Sequence, residues 1–248
     1  MDDTPFYGFY RRPRFSANHL AEYLCTTDAG QREAVIRKAK FPRRASVVAY
    51  QQIASPLRRF LTSNSGDLRY FDGIVDRLND KARREVGYNR DEALRCIAAI
   101  EAFKATFSKA KLSKMTFLAG PSDIQMKVEN VSINVRLDPP IVERRDDGRA
   151  FSGGCVMLLA NSPDARKNIE ERTKSVAAIA HWTLESDASN VEPLARLCMS
   201  FDAFGGRVVK APSAIDRLRK RVAASCREAA DSWDRVDPPA GYDGPDWR

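Results

Sequence analysis

The sequence predicts an α+β fold, an N-terminal helical region followed by a mixed β-sheet core flanked by helices. Three observations predict it. Residues 16–112 carry apolar side chains at helical spacing almost throughout. At Lys114 the composition turns to short runs rich in β-branched and apolar residues, separated by turn residues. Further on, SGGCVMLLAN (152–161) has a fully apolar centre, as a strand covered on both faces requires, and a long amphipathic stretch follows it.

Taken in order, residues 1–15 form an arm in which Phe6, Tyr7, Phe9 and Tyr10 precede Arg11, Arg12 and Arg14. Ser16 has the character of an N-cap for a first helix with Leu20 and Leu24 four apart, and Asp28 opens a second that Pro42 stops. A third helix occupies 45–63, with a break expected near Ser55 because Pro56 follows it. Asp67 starts a fourth, with Leu68, Phe71, Val75 and Leu78 as its apolar stripe. Asn89 or Asp91 caps a longer fifth helix with a wide apolar face.

The β-rich part reads as 115–120, 123–130 and 131–138, with a turn at Glu129-Asn130. Pro139-Pro140 interrupts the ladder, so IVER (141–144) is expected as a continuation past a bend or an edge piece. After the central strand come a helix over 164–185, a strand over 194–204, a Gly205-Gly206 turn into RVVKAP, and a last helix capped by Ser213. The Pro/Gly-rich end is expected to be a flexible tail. The predicted units are a helical region with a basic arm (1–88), an α/β core (89–236) and the tail (237–248).

Composition excludes several classes. With 43% hydrophobic residues in 248, the chain can bury a sizeable core. It has no apolar run of membrane-spanning length, and its N-terminus lacks the apolar centre of a secretory signal, so a cytoplasmic location without membrane contact is expected. Cys25, Cys96, Cys155, Cys198 and Cys226 are widely separated, without metal-ligand spacing or a histidine near them in sequence, and read as buried thiols. Gly153-Gly154 precedes a strand rather than a helix, so it is no phosphate loop. His181, mid-helix beside Trp182, reads as a packed or surface histidine.

The net charge of +8 permits a polyanionic partner. Residues 1–60 hold 11 Lys/Arg against 5 Asp/Glu, so the excess is concentrated there. Arg11, Arg12, Arg14, Arg32, Arg37, Lys38, Lys40, Arg43 and Arg44 are the candidate phosphate-facing residues for DNA or RNA. The aromatics of the arm are placed either to stack on bases or to pack the arm onto its own domain.

From Asp91 the order is helix, antiparallel strands, helix, strand, strand, helix, with Arg136-Leu137-Asp138-Pro139 at a strand bend. Over residues 90–235 this resembles the core of the PD-(D/E)XK nuclease superfamily, the restriction-endonuclease-like fold. The resemblance is topological. It implies a Mg²⁺-binding acid at Asp138 and a helical glutamate at Glu101. It also implies an acid-x-lysine on the next core strand, but Val156–Asn161 has neither, and Asn161 is its only polar group. Asp138 and Asn161 make a poor Mg²⁺ site, because that ion favours hard oxygen ligands and carboxylates above all.

The expectation is therefore a nucleic-acid-associated protein with a degenerate nuclease-like core, without catalysis and without a cofactor. The alternatives are a Mg²⁺-dependent nuclease rearranged around Asp138, with Glu143, Asp146 or Asp147 supplying the missing acid, and a non-catalytic subunit that meets an acidic protein partner.

Overall fold

The computed structural model describes the chain except residues 1–4, 44–50, 64–65, 111, 121, 159–165, 188–190 and 248. The fold is α+β, with mixed sheets flanked by helices. The helical segments are α1 (Ala17–Leu24), α2 (Ala29–Lys40), α3 (Gln51–Ser63), α4 (Asp72–Arg84), α5 (Tyr88–Lys109), α6 (Ile169–Ser186) and α7 (Asp216–Trp233). The strands are β1 (Arg14–Ser16), β2 (Thr116–Phe117), β3 (Ser122–Val128), β4 (Val131–Leu137), β5 (Pro140–Arg144), β6 (Ala150–Leu158), β7 (Glu192–Asp202) and β8 (Arg207–Lys210).

Local chemistry explains most boundaries. Ser16 Oγ accepts the His19 N–H at 3.2 Å and Asp28 Oδ1 accepts the Gln31 N–H at 2.8 Å, so both expected caps form. α5 starts earlier than Asn89 or Asp91 would place it, directly after Gly87, whose φ of 60° turns the chain out of α4. Ser213 does not cap α7, which begins after Ile215 without a side-chain cap. The expected break at Ser55 is absent, and α3 runs through Pro56. An internal proline costs a helix about 3 kcal/mol. Ile53, Leu57, Phe60 and Leu61 are all buried on the same helix, and each buried apolar side chain contributes roughly 1.5–3 kcal/mol, so packing outweighs the lost bond.

The strands form two sheets. In the first, β4 lies between β1, parallel to it, and β3, antiparallel. In the second the order is β2-β5-β6-β7-β8, with β6 and β7 parallel and the other pairs antiparallel. β5 is thus an interior strand of a different sheet, not an edge piece or a simple continuation of β4. The chain changes sheets at the Asp138-Pro139 peptide, which is cis. Pro140, the first residue of β5, lacks only a donor; its carbonyl accepts from Leu118 N–H at 2.9 Å.

The sheets meet at this corner. Asp138 N–H donates to the Cys155 carbonyl at 2.7 Å, and Cys155 N–H donates to the Pro139 carbonyl at 3.0 Å. Gly153 and Gly154 lie inside β6, where its register against β7 shifts. Their role is close approach: a Cβ on Gly153 would sit 2.4 Å from Leu197 Cβ, and one on Gly154 2.8 Å from Leu137 Cβ.

Side chains alternate across β6 into two cores. Val156 and Leu158 join β1, β3 and β4 with α1, α2, α6 and α7. Phe151 and Cys155 join α3, α4, α5 and the opposite face of β7. The N-terminal 88 residues do not pack as a body of their own, because β1, α1 and α2 belong to the first core and α3 and α4 to the second. Nor is the C-terminal segment loose. The Asp243 carboxylate accepts the Phe6 and Tyr7 N–H groups at 2.7 and 3.0 Å, and Tyr242 packs on Tyr7 and Phe41. Aromatic contact and two backbone donors hold a stretch that composition alone marks as mobile.

Candidate functional site

Two places hold the candidate residues: the corner at Asp138 and the basic N-terminal surface. At the corner, the Asp138 side chain is only 11% exposed and accepts two parallel bonds from Arg58 of α3, from Nε to Oδ1 and from Nη2 to Oδ2. Arg136 Nε lies 3.8 Å from Oδ2 on the solvent side. The hydrogen bonds to Asp138 raise the Arg58 pKa further. Both carboxylate oxygens are thus engaged by one guanidinium, the strongest geometry available to such a pair.

The backbone register identifies the positions that face Asp138 from β6. Cys155 stands opposite, and Met157 shares its face of the strand. An acid-x-lysine would fall on these two residues, earlier in the sequence than Asn161. Burial, with the Asp138 carboxylate adding to it, pushes the Cys155 thiol up to about 12, so a neutral thiol and a thioether stand there. Mg²⁺ takes hard oxygen ligands, and this donor set does not fit it. Among the described residues no three His, Cys, Asp or Glu side chains gather as a metal-holding group.

Glu101 is not brought to Asp138. It is exposed on α5 and pairs with Lys104 at 3.3 Å, which also reaches Asp72 at 3.4 Å. Asn161 lies outside the described residues. Of the other acids, Glu143 is held by Arg196 and Asp147 by Arg149 at 2.8 Å. His181 is buried within α6, with Nδ1 3.9 Å from Glu185.

Of the nine candidate phosphate-facing residues, the eight that are described separate into two groups. One group is engaged by partners within the chain. Lys40 is 2% exposed and donates to the Trp233 and Val236 carbonyls at 2.8 and 2.9 Å, closing the end of α7. Arg32 pairs with Glu228 at 2.6 Å and lies over the Tyr23 ring. Arg37 pairs with Glu33 and donates to the Asp237 carbonyl at 3.0 Å, and Lys38 pairs with Glu22 at 2.9 Å. The basic face of α2 is therefore largely matched by acids and carbonyls of α1, α2 and the C-terminal segment.

The other group stands on the arm, or beside it in the case of Arg43, and the structure fixes the arm in place. Gly8 and Tyr10 N–H donate to the Pro42 and Lys40 carbonyls, and the Trp233 indole donates to the Tyr10 carbonyl at 3.1 Å. Arg11 and Arg12 are exposed at its bend. Arg14 lies 4.5 Å over the Tyr10 ring and Arg43 5.9 Å over Phe6, and both rings keep substantial exposure. Arg44 lies outside the described residues. No family model matches the chain, and no curated protein matches it in sequence.

Two features of the candidate sites carry no signal in the sequence. Arg58 carries no local signal linking it to a residue 80 positions away. A cleft of about 490 Å³ beside the arm is assembled from Tyr7, His19, α2, residues 41–43 and Pro239, segments far apart in the chain. Among the described helices none is long and apolar enough to cross a membrane.

Proposed function

We propose that the chain is a nucleic-acid-associated protein whose nuclease-like core performs no metal-dependent cleavage. One observation carries the binding half of this reading: the anchored arm presents Arg11, Arg12, Phe6 and Tyr10 outward along a stretch, residues 5–21, that contains no acidic residue. Guanidinium groups meet backbone phosphates, and partly exposed rings offer a face or edge to unpaired bases. Holding the arm between Lys40–Arg43 and the C-terminal segment means little further ordering is needed when a strand binds. The engagement of Asp138 by Arg58 supports the non-catalytic half, because a metal ion at this carboxylate would compete with a guanidinium that already neutralises its charge and bonds both oxygens.

The test is fluorescence anisotropy with labelled single- and double-stranded oligonucleotides at about 50 and about 200 mM salt. Binding that weakens steeply with salt is expected. The double substitution Arg11→Ala/Arg12→Ala should lower the slope of log K against log salt by about 1 to 2. Absence of binding at low salt overturns the reading. Mg²⁺- or Mn²⁺-dependent cleavage that Asp138→Ala abolishes overturns its non-catalytic half.

A further inference from the structure

The 490 Å³ cleft beside the arm lies within the size range of small-ligand pockets. Its wall is divided. Tyr7, Ala34, Phe41, Pro42 and Pro239 make an apolar part, and Arg37, Lys38, Arg43 and His19 make a basic part. Among the described residues that line it there is no aspartate or glutamate. The carboxylates that partner Arg37 and Lys38, Glu33 and Glu22, lie outside that lining. A concave surface with cations and no acid is selective for anions, and the apolar wall adds a requirement for a flat or hydrophobic group beside the charge.

From this division of the cleft we infer that it binds a nucleoside monophosphate, with the phosphate toward Arg37, Lys38 and His19 and the base and sugar against Tyr7, Pro42 and Pro239.

The state of His19 supports the assignment. Burial lowers its pKa, Glu22 opposes that, and Lys38 and Arg172 add to the lowering, so the free site favours a neutral imidazole with two cations and one carboxylate near it. A bound phosphate dianion reverses the field at this ring. His19 then gains a proton more readily and donates to the phosphate. The inference does not rest on strand binding by the arm, since a free nucleotide fills the cleft. A nucleotide at the end of a strand presents the same chemistry.

The experiment uses the full chain and its two histidines, His19 and His181, as separate reporters in NMR. AMP, adenosine, inorganic phosphate and a 5′-phosphorylated oligonucleotide are titrated in turn, with calorimetry in parallel. AMP is expected to shift the His19 ring signals and raise the His19 pKa while the His181 signals stay in place. It should bind at least about tenfold more tightly than either adenosine or phosphate, because only AMP engages both walls. Lys38→Met should weaken AMP about tenfold or more, and Lys38→Arg should restore it. Lys38 is largely exposed, so these variants keep the fold, and unchanged unfolding midpoints verify that. The oligonucleotide identifies the source: displacement of AMP assigns the cleft to strand ends, and failure to displace assigns it to free nucleotides. Equal affinity for AMP and phosphate, an unmoved His19, or full binding by Lys38→Met overturns the inference. Loss of strand binding in Arg11→Ala/Arg12→Ala with AMP binding intact separates the two sites.

Discussion

Arg58 of α3 holds Asp138, at the junction of β4 and β5, through two parallel N–H···O bonds. The pair ties the second core to the corner where the sheets meet. It also neutralises the carboxylate that the resemblance to metal-dependent nucleases would make a metal ligand. A guanidinium carries the positive charge there, and it is supplied by the chain itself.

Removing Arg58 should therefore harm folding without creating an enzyme. Arg58→Ala leaves the largely buried Asp138 carboxylate with only the distant Arg136. Breaking a buried pair costs about 3–5 kcal/mol, and the partial exposure of Arg58 places this case near the lower end. Asp138→Asn in the Arg58→Ala background should recover much of the loss, since no uncompensated charge remains. Urea unfolding midpoints measure both. Mg²⁺-dependent cleavage by Arg58→Ala would contradict the role given to Cys155 and Met157.

Lys40 illustrates why a basic helix face is a poor guide to a binding surface. Its ammonium is buried against two carbonyls at the end of α7, and burial lowers its pKa while Asp234 and Asp237 oppose that. Lys40→Met should cost about 2–3 kcal/mol, because two buried carbonyls lose a charged donor. Strand affinity at matched folded fraction should not change. A fall in affinity with an unchanged unfolding midpoint would return Lys40 to the binding surface.

The elements legible in the sequence are those fixed by neighbours in the chain. Ser16 and Asp28 cap their helices through residues three positions away, and Glu129-Asn130 turns β3 back onto β4 with both residues at positive φ. What was not legible depends on distant partners. β1 is three residues long and exists because β4 lies beside it. The basic face of α2 is compensated by Glu228 and Asp237, about two hundred residues later, and Asp138 by a helix that precedes every long strand. Periodicity reports which face of an element is apolar. It does not report which polar groups on the other face meet.

Alkaline pH should destabilise the protein through its thiols. Burial raises Cys96 to about 11 and Cys155, Cys198 and Cys226 to about 12, from an ordinary value of 9.0. An acid whose folded pKa is raised contributes stability that is intact below 9.0. That contribution is lost as pH rises toward 11 and 12, because the unfolded chain ionises first and the folded chain retains its protons. At pH 10 each thiol forfeits on the order of 1 kcal/mol, so the four together forfeit a sizeable part of a typical total stability of about 5–15. Urea midpoints at about pH 8 and pH 10 test this in a Cys25→Ala background, Cys25 being only half-buried, with thiolate absorbance of the other four expected to appear only on unfolding. Replacing Cys226 by Ala should remove about a quarter of the pH dependence. Thiolate absorbance in the folded protein at pH 10 would show that these groups are not sequestered.

Tyr10 distinguishes a stacking role from a purely electrostatic one. Arg14 covers one face of its ring, the backbone around it is tied to Lys40 and Trp233, and the residue as a whole remains 37% exposed. A base can reach such a ring only if it is unstacked from its neighbours, which single strands permit and duplexes do not. Tyr10→Ala should therefore weaken single-stranded oligonucleotides about tenfold, matching the roughly 1–3 kcal/mol of one stacked base, and leave duplex affinity and the salt slope nearly unchanged. Arg11→Ala should do the opposite, lowering the slope for both forms by about 1. Equal losses for single and double strands in Tyr10→Ala would mean that the ring serves only to hold Arg14 and the arm in place.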